Sequence, residues 1–241
     1  MKLLFFLLIA VLTVCSACDN SSNSKKDTPK VDSAVSSTTN QSKGLVDNKT
    51  IPDKSLPDTT VTIKFPEISL NINRLVLFED TITTKDAKAD TMYLIAGLGE
   101  TIEGQLISVN SDNLLNLKLE QRYETSVTIQ DEGPHCDLTE WKHYDSEWKP
   151  LPKNKNGQFT CLSYTEDEWQ KFPDVSIAEL KKAVEKHCGE RWSNHIKNVK
   201  SPTDYPSAVS VSRYFLRITG QQKSSKKEIE KLIVIEILMG C

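Results

Sequence analysis

From residue 61 onward, apolar positions recur mainly with a period of two. Val61, Ile63 and Phe65 alternate with Thr62 and Lys64, and Ile68, Leu70 and Ile72 repeat the pattern on the way to Phe78. This alternation puts one face of a strand in a core and the other in water. Ile102–Val109 and Leu115–Leu119 flank Asn110-Ser111-Asp112-Asn113, which predicts a hairpin closed by a polar turn. Val127-Thr128-Ile129 continues the β pattern until Gly133-Pro134 interrupts it.

The period then changes. Ile177, Leu180, Val184 and Cys188 fall on one helical face, while Lys181, Lys182, Glu185 and Lys186 cover the other. Ser176 with Glu179 forms a capping-box pattern before this helix, and Gly189 supplies its stop. Thr165 with Glu168 repeats the box and predicts a shorter helix. Val209–Thr219 and Ile229–Met239 return to β and flank a polar Lys/Ser loop. The β-branched run from Leu232 to Leu238 predicts a central strand.

This order of strands, helix, strands lacks regular β-α alternation and shows no internal repeat. It predicts a mainly β fold with a helical insertion (α+β), built as an antiparallel sheet or β-sandwich and stabilised by disulfides. Gly97-Leu98-Gly99 does not extend to a dinucleotide-binding G-x-G-x-x-G. No P-loop, H-E-x-x-H or G-x-S-x-G is present.

The N-terminus differs. Met1-Lys2 is followed by an apolar run from Leu3 to Val14, about a dozen residues, against the roughly 20 that a spanning helix needs. It ends in Val14-Cys15-Ser16-Ala17-Cys18. The first 18 residues resemble the lipobox signal of bacterial lipoproteins, in which small residues precede a modified cysteine. Ser16 and Ala17 suit Cys18 as the acceptor. Cys15 has Leu12 at the right spacing, but the branched Val14 stands immediately before it where a small residue is wanted. The resemblance implies cleavage before Cys18, diacylglycerol on its sulfur and acylation of the new amine, with the product anchored in the cell envelope facing the periplasm. One acyl chain anchors marginally, whereas several hold a protein at a membrane. An ordinary secretory signal cut near Ala17 is the alternative. Asp19 leaves inner against outer membrane open.

Asp19 to about Thr60 is dominated by Ser, Thr, Asn, Asp, Lys and Pro. So polar a stretch buries too little apolar surface to offset ordering entropy. It is predicted to be a tether, and some 40 flexible residues span roughly 30–40 Å. The predicted organisation is a signal peptide over 1–17, a tether over 18–60 and a β-rich globular domain over 61–241. A formal net charge of -3 and a pI near 5.9 argue against a nucleic-acid partner.

In an exported chain, Cys136, Cys161, Cys188 and Cys241 form an even set that reads as a disulfide framework. Four cysteines allow three pairings. Cys136–Cys161 with Cys188–Cys241 is favoured, because the first closes a Trp- and Pro-rich loop and the second pins the chain end. The four contain no C-x-x-C, so neither a zinc ribbon nor a thioredoxin-type site is expected.

Candidate chemistry concentrates in residues 135–148, which hold two of the four His and two of the four Trp. His135, Asp137, Glu140, Trp141, His143, Tyr144 and Trp148 form a candidate ligand-binding set, with aromatic faces to stack a flat or sugar-like ligand and polar groups to orient it. Packing of Trp141 and Trp148 into the core is the structural reading of the same residues. No spacing identifies catalytic residues, a metal site or a cofactor. The expected role is binding of a protein, small-molecule or glycan ligand, and the alternative is a hydrolase-like envelope enzyme with dispersed residues.

Overall fold

The computed structural model describes residues 59–84 and 90–239. The predicted signal peptide and tether and Cys241 lie outside these residues, apart from Thr59 and Thr60 at the end of the tether. Two sheets pack face to face. The smaller has strands β1 (Thr60–Lys64), β2 (Ser69–Asn73), β5 (Leu106–Asn110) and β10 (Phe159–Thr160), in the order β1-β2-β5-β10. The larger contains β3 (Leu77–Thr84), β4 (Thr91–Ala96), β6 (Leu114–Ile129), β7 (Cys136–Asp137), β11 (Ser207–Gln222) and β12 (Glu228–Glu236). Its order is β3-β4-β12-β11-β6-β7, and β8 (Tyr144–Asp145) and β9 (Lys149–Pro150) also pair with β6. All pairings are antiparallel except β12 with β4, so the larger sheet is mixed. The mainly β fold with a helical insertion is therefore observed, as a sandwich.

The alternating residues do what their pattern requires. Ile63, Leu70, Ile72 and Ile107 of the small sheet meet Leu119, Tyr123, Leu216, Ile218, Ile233 and Ile235 of the large one in a single buried cluster. Full burial of side chains of this size is worth about 1.5–3 kcal/mol each. The run beginning at Leu232 is central as predicted, with β4 on one side and β11 on the other. The hairpin predicted around Asn110–Asn113 is not present. β5 pairs with β2 and β10, and β6 pairs with β11. The polar turn instead carries the chain from one layer of the sandwich to the other, so that both strands face the same core from opposite sides.

The long strands β6 and β11 extend beyond the small sheet, and a second cluster covers that end. Val127, Ile129 and Val209 pack against Leu180, Ala183 and Val184 of α2 (Ile177–Cys188) and against Ile196 and Val199. The Ser176 capping box is formed: Glu179 N donates to Ser176 Oγ at 3.2 Å, and Ser176 N donates to Glu179 Oε2 at 2.9 Å. Gly189 stops the helix at φ 93°, a conformation a side chain would strain. The short helix α1 (Glu166–Trp169) begins at Thr165 as expected, and α3 (Glu190–His195) follows α2 directly.

The cysteine pairing corrects the favoured one. Cys136 is bonded to Cys188 with a Cα–Cα distance of 6.0 Å, and Cys161 is a free, buried thiol. The reason lies in the division of the core. Cys136 and Cys188 meet where α2 docks on the extended end of the sheet, whereas Cys161 belongs to the cluster between the two sheets. Burial pushes the Cys161 thiol up to about 12, far from a reactive thiolate.

Candidate functional site

One face of the large sheet packs on the small sheet. The opposite face carries a distinct set of side chains, produced by a β-bulge. In β11, Val209 and Val211 point inward, yet two strand positions further on Arg213, Phe215 and Arg217 point outward. The register with β6 slips between Val211 and Arg213, so Ser212 is the extra residue and the alternation inverts there. Ser212 is fully buried, with its Oγ 2.9 Å from Ser126 Oγ and its carbonyl accepting from Ile237 N at 2.8 Å.

The strand registers arrange the outer face in rows. Glu236, Arg213 and Glu124 lie side by side across β12, β11 and β6. The next row is Tyr93, Val234, Phe215 and Arg122. Beyond it come Leu232, Arg217 and Glu120. A groove of about 630 Å³ lies over the first two rows, with Glu140, His143 and Asp145 from the flanking loop along one side.

Arg213 is the hub of the charged row. It donates to Glu124 Oε1 at 3.0 Å and to Glu140 Oε1 at 3.0 Å, with Glu236 Oε2 at 4.0 Å. Burial opposes the charge on Arg213, and Glu124, Glu236 and Glu140 outweigh that effect, so its guanidinium is held even more firmly protonated than usual. The Glu124 side chain is only 5% exposed, which makes this pair a buried one. Arg122 donates to Asp145 at 2.7 Å and lies over the Phe215 ring at 4.3 Å. Trp148 continues the stack, with Arg122 5.3 Å and Arg217 4.4 Å from its ring centroid. Guanidinium–aromatic contacts of this kind contribute about 0.5–2 kcal/mol and hold the side chains in fixed orientations.

The seven residues singled out from sequence divide among several surroundings. Glu140 and His143 line the groove, and Trp148 flanks it through Arg122. His143 Nε2 is 3.9 Å from Glu124 Oε2, beyond hydrogen-bond reach. Trp141 packs on the second core cluster with its ring 6.0 Å from Phe172, and Tyr144 packs on the first, 6.2 Å from Tyr123. Asp137 accepts from Thr128 Oγ1 at 2.5 Å. His135 Nδ1 is 3.0 Å from the Met239 carbonyl. The groove residues absent from the sequence-based set include Arg122, Glu124, Asp145, Arg213, Phe215 and Glu236. Their signal was present as alternating charges at 120, 122 and 124, and as arginines at 213 and 217 on either side of Tyr214-Phe215-Leu216. Without the position of the bulge, these could not be assigned to one face.

Among the described residues no group of three or more His, Cys, Asp and Glu could hold a metal ion, and no helix is long and apolar enough to cross a membrane. Comparison with protein-family models, with curated proteins and with solved structures returns no match.

Proposed function

We propose that this chain is a lipid-anchored protein of the bacterial cell envelope whose β-sandwich binds a ligand or partner on the open face of its large sheet. The anchoring half of the reading is supported by Val14-Cys15-Ser16-Ala17-Cys18 after the apolar leader and by the polar stretch that follows. Acyl chains on Cys18 would hold the protein at the membrane, and the tether would let the sandwich stand off it, facing the periplasm.

The binding half rests on the groove itself. A sheet face turned to solvent ordinarily carries scattered polar side chains. Here it carries a half-buried arginine bonded to two carboxylates, a nearly buried Phe215 roofed by a guanidinium, and Trp148 clasped by two arginines. Such pre-oriented polar and aromatic groups reduce the ordering cost of binding.

Two measurements test the two halves. Detergent phase partition should place the parent with the detergent and Cys18→Ser with the water; equal partition removes the anchor. Hydroxyl-radical footprinting of the full-length protein, with and without envelope extract, should show protection of His143, Trp148 and Leu232. Protection elsewhere, or none, removes this face as the site.

A further inference from the structure

Where the chain enters the sandwich, apolar side chains stand in the open. Among the described residues five large apolar side chains are exposed, and three of them belong to one corner: Val76 (44%), Phe78 (46%) and Leu98 (56%). β3 is the last strand of the larger sheet, and its Leu77 packs inward on the first core cluster, which leaves Val76 and Phe78 on the outer side of that edge. Leu77 pairs with Ala96, and Gly97 N donates to the Val76 carbonyl at 2.8 Å, so the turn after β4 lies against Val76. A side chain at Gly97 would stand 3.7 Å from Val76 Cγ1, so Val76 covers the backbone of that turn. The turn is Gly97-Leu98-Gly99-Glu100, closed by Glu100 N donating to the Gly97 carbonyl at 3.0 Å. Gly99 takes the positive φ, 76°, that a type II turn requires at its second central position, and Leu98 is held at the tip. Gly, Pro and small polar residues ordinarily occupy such a tip.

The same corner receives the N-terminal stretch. Arg74 N donates to the Thr59 carbonyl at 2.6 Å, and a hollow of about 310 Å³ is lined by Thr59, Thr60, Val61 and Thr62 with Leu75, Val76 and Leu77. On the anchoring reading above, about 40 residues join this point to the acyl chains of Cys18, and a flexible chain of that length spans roughly 30–40 Å. The bilayer is then the apolar phase always within reach of the patch. Tethering of this kind sets an effective concentration on the order of millimolar, so a contact too weak to form from free solution still forms. Three side chains suit that case, whereas a stable complex with a partner from solution takes about 20–30 residues a side. Charge adds little: Arg74 is exposed, Glu79 and Glu100 are half-buried, and the described residues of this corner hold no cluster of cations to draw anionic headgroups.

We infer that this corner docks on the surface of the bilayer, with Leu98, Val76 and Phe78 entering the boundary between headgroups and acyl chains. The inference rests on the anchoring half of the reading above and adds the orientation that the domain takes. Apolar side chains at such a boundary reach about 5–10 Å into it. The rim of the groove, on β6 and β8, is four strands from β3. At about 4.8 Å per strand that is roughly 19 Å, so contact along this edge does not cover the rim.

The test is hydroxyl-radical footprinting of the full-length protein in phosphatidylcholine vesicles, against full-length Cys18→Ser in buffer. Oxidation follows exposure, so taking Val76, Phe78 and Leu98 from 44–56% to under about a tenth exposed should lower it about fivefold. Leu115 and Tyr205, exposed elsewhere on the domain, should oxidise equally in both, and their equal protection overturns the inference. Adding phosphatidylglycerol should change nothing; protection that appears only with it overturns apolar docking. Val76→Asp/Leu98→Asp should return Phe78 to its level in Cys18→Ser, and Leu115→Asp should not; Phe78 still protected in the double variant overturns the inference. These side chains are exposed, so the melting temperature checks that the fold is retained. Dilution to one copy per vesicle separates lipid from a second copy of this chain: protection that persists supports the inference, and protection lost on dilution overturns it. Vesicle flotation separates this from the anchoring reading. A parent that floats with the vesicles while all three side chains oxidise as in Cys18→Ser overturns the docking and leaves the anchor, whereas a parent that does not float overturns both.

Discussion

The Cys136–Cys188 bond gives the most quantitative test of the fold. It closes a loop with a sequence separation of 52 and joins β7 to the last turn of α2, where the second core cluster lies between helix and sheet. In the chain-entropy treatment a loop of that size restricts the unfolded ensemble by about 4 kcal/mol. For a domain of this size each kcal/mol moves the melting temperature by roughly 2–4 °C, so loss of the bond should lower it by about 8–16 °C. The assay compares the oxidised chain, the chain under reductant and Cys136→Ala/Cys188→Ala by thermal and denaturant unfolding. Tryptic mapping without reduction should join the peptide 123–142 to the peptide 187–191. Cys161, buried and with its thiol pushed up to about 12, should escape alkylation until the chain unfolds. Two results would refute the reasoning: a tryptic link between Cys136 and Cys161, or a melting temperature that reductant leaves unchanged.

Other consequences follow from the ion pairs and buried phenols. Arg213→Met should cost about 3–5 kcal/mol by leaving Glu124 charged and unpaired, and adding Glu124→Gln should recover most of it; strictly additive losses in denaturant melts would contradict a coupled pair. The hydrogen bond from Lys149, with the backbone N–H of Thr165, holds the Glu168 carboxyl down at about 2 in the folded state. A depressed folded value means its contribution is complete above the ordinary value of 4.5 and is lost as pH falls toward 2. Stability measured across that window should therefore fall less steeply in Glu168→Gln than in the parent. Burial raises Tyr123 to about 12 and moves Tyr164 and Tyr214 up as well. Their contribution is present below the ordinary value of 10 and is lost as pH rises above it, so ultraviolet titration should show these three phenols ionising only with unfolding. Tyr214→Phe should shrink that cooperative step.

Local pattern determined a good deal of this protein. Alternation at Val61–Phe65, Ile68–Ile72 and Leu232–Leu238 specified strands, because a half-buried strand needs a period of two whatever its neighbours are. Ser176, Glu179 and Gly189 specified both ends of α2, because a helix must satisfy its terminal backbone groups locally. The lipobox-like Ser16-Ala17-Cys18 is likewise a local signal, and the anchoring proposal rests on it. What only the tertiary structure decided is which strands pair, which cysteines meet and which side chains share a face. The turn at Asn110–Asn113 serves a hairpin or a crossover equally well, and long-range pairing of β6 with β11 selected the crossover. Cys136 has Cys188 rather than Cys161 as partner because the core is divided in two, a property of packing that spacing along the chain does not encode. The groove depends on one extra residue, Ser212, which turns Arg213 and Phe215 outward after Val209 and Val211 have pointed inward. A bulge is defined by the strand opposite it, so the residues that build this face became a set only once β6 lay beside β11.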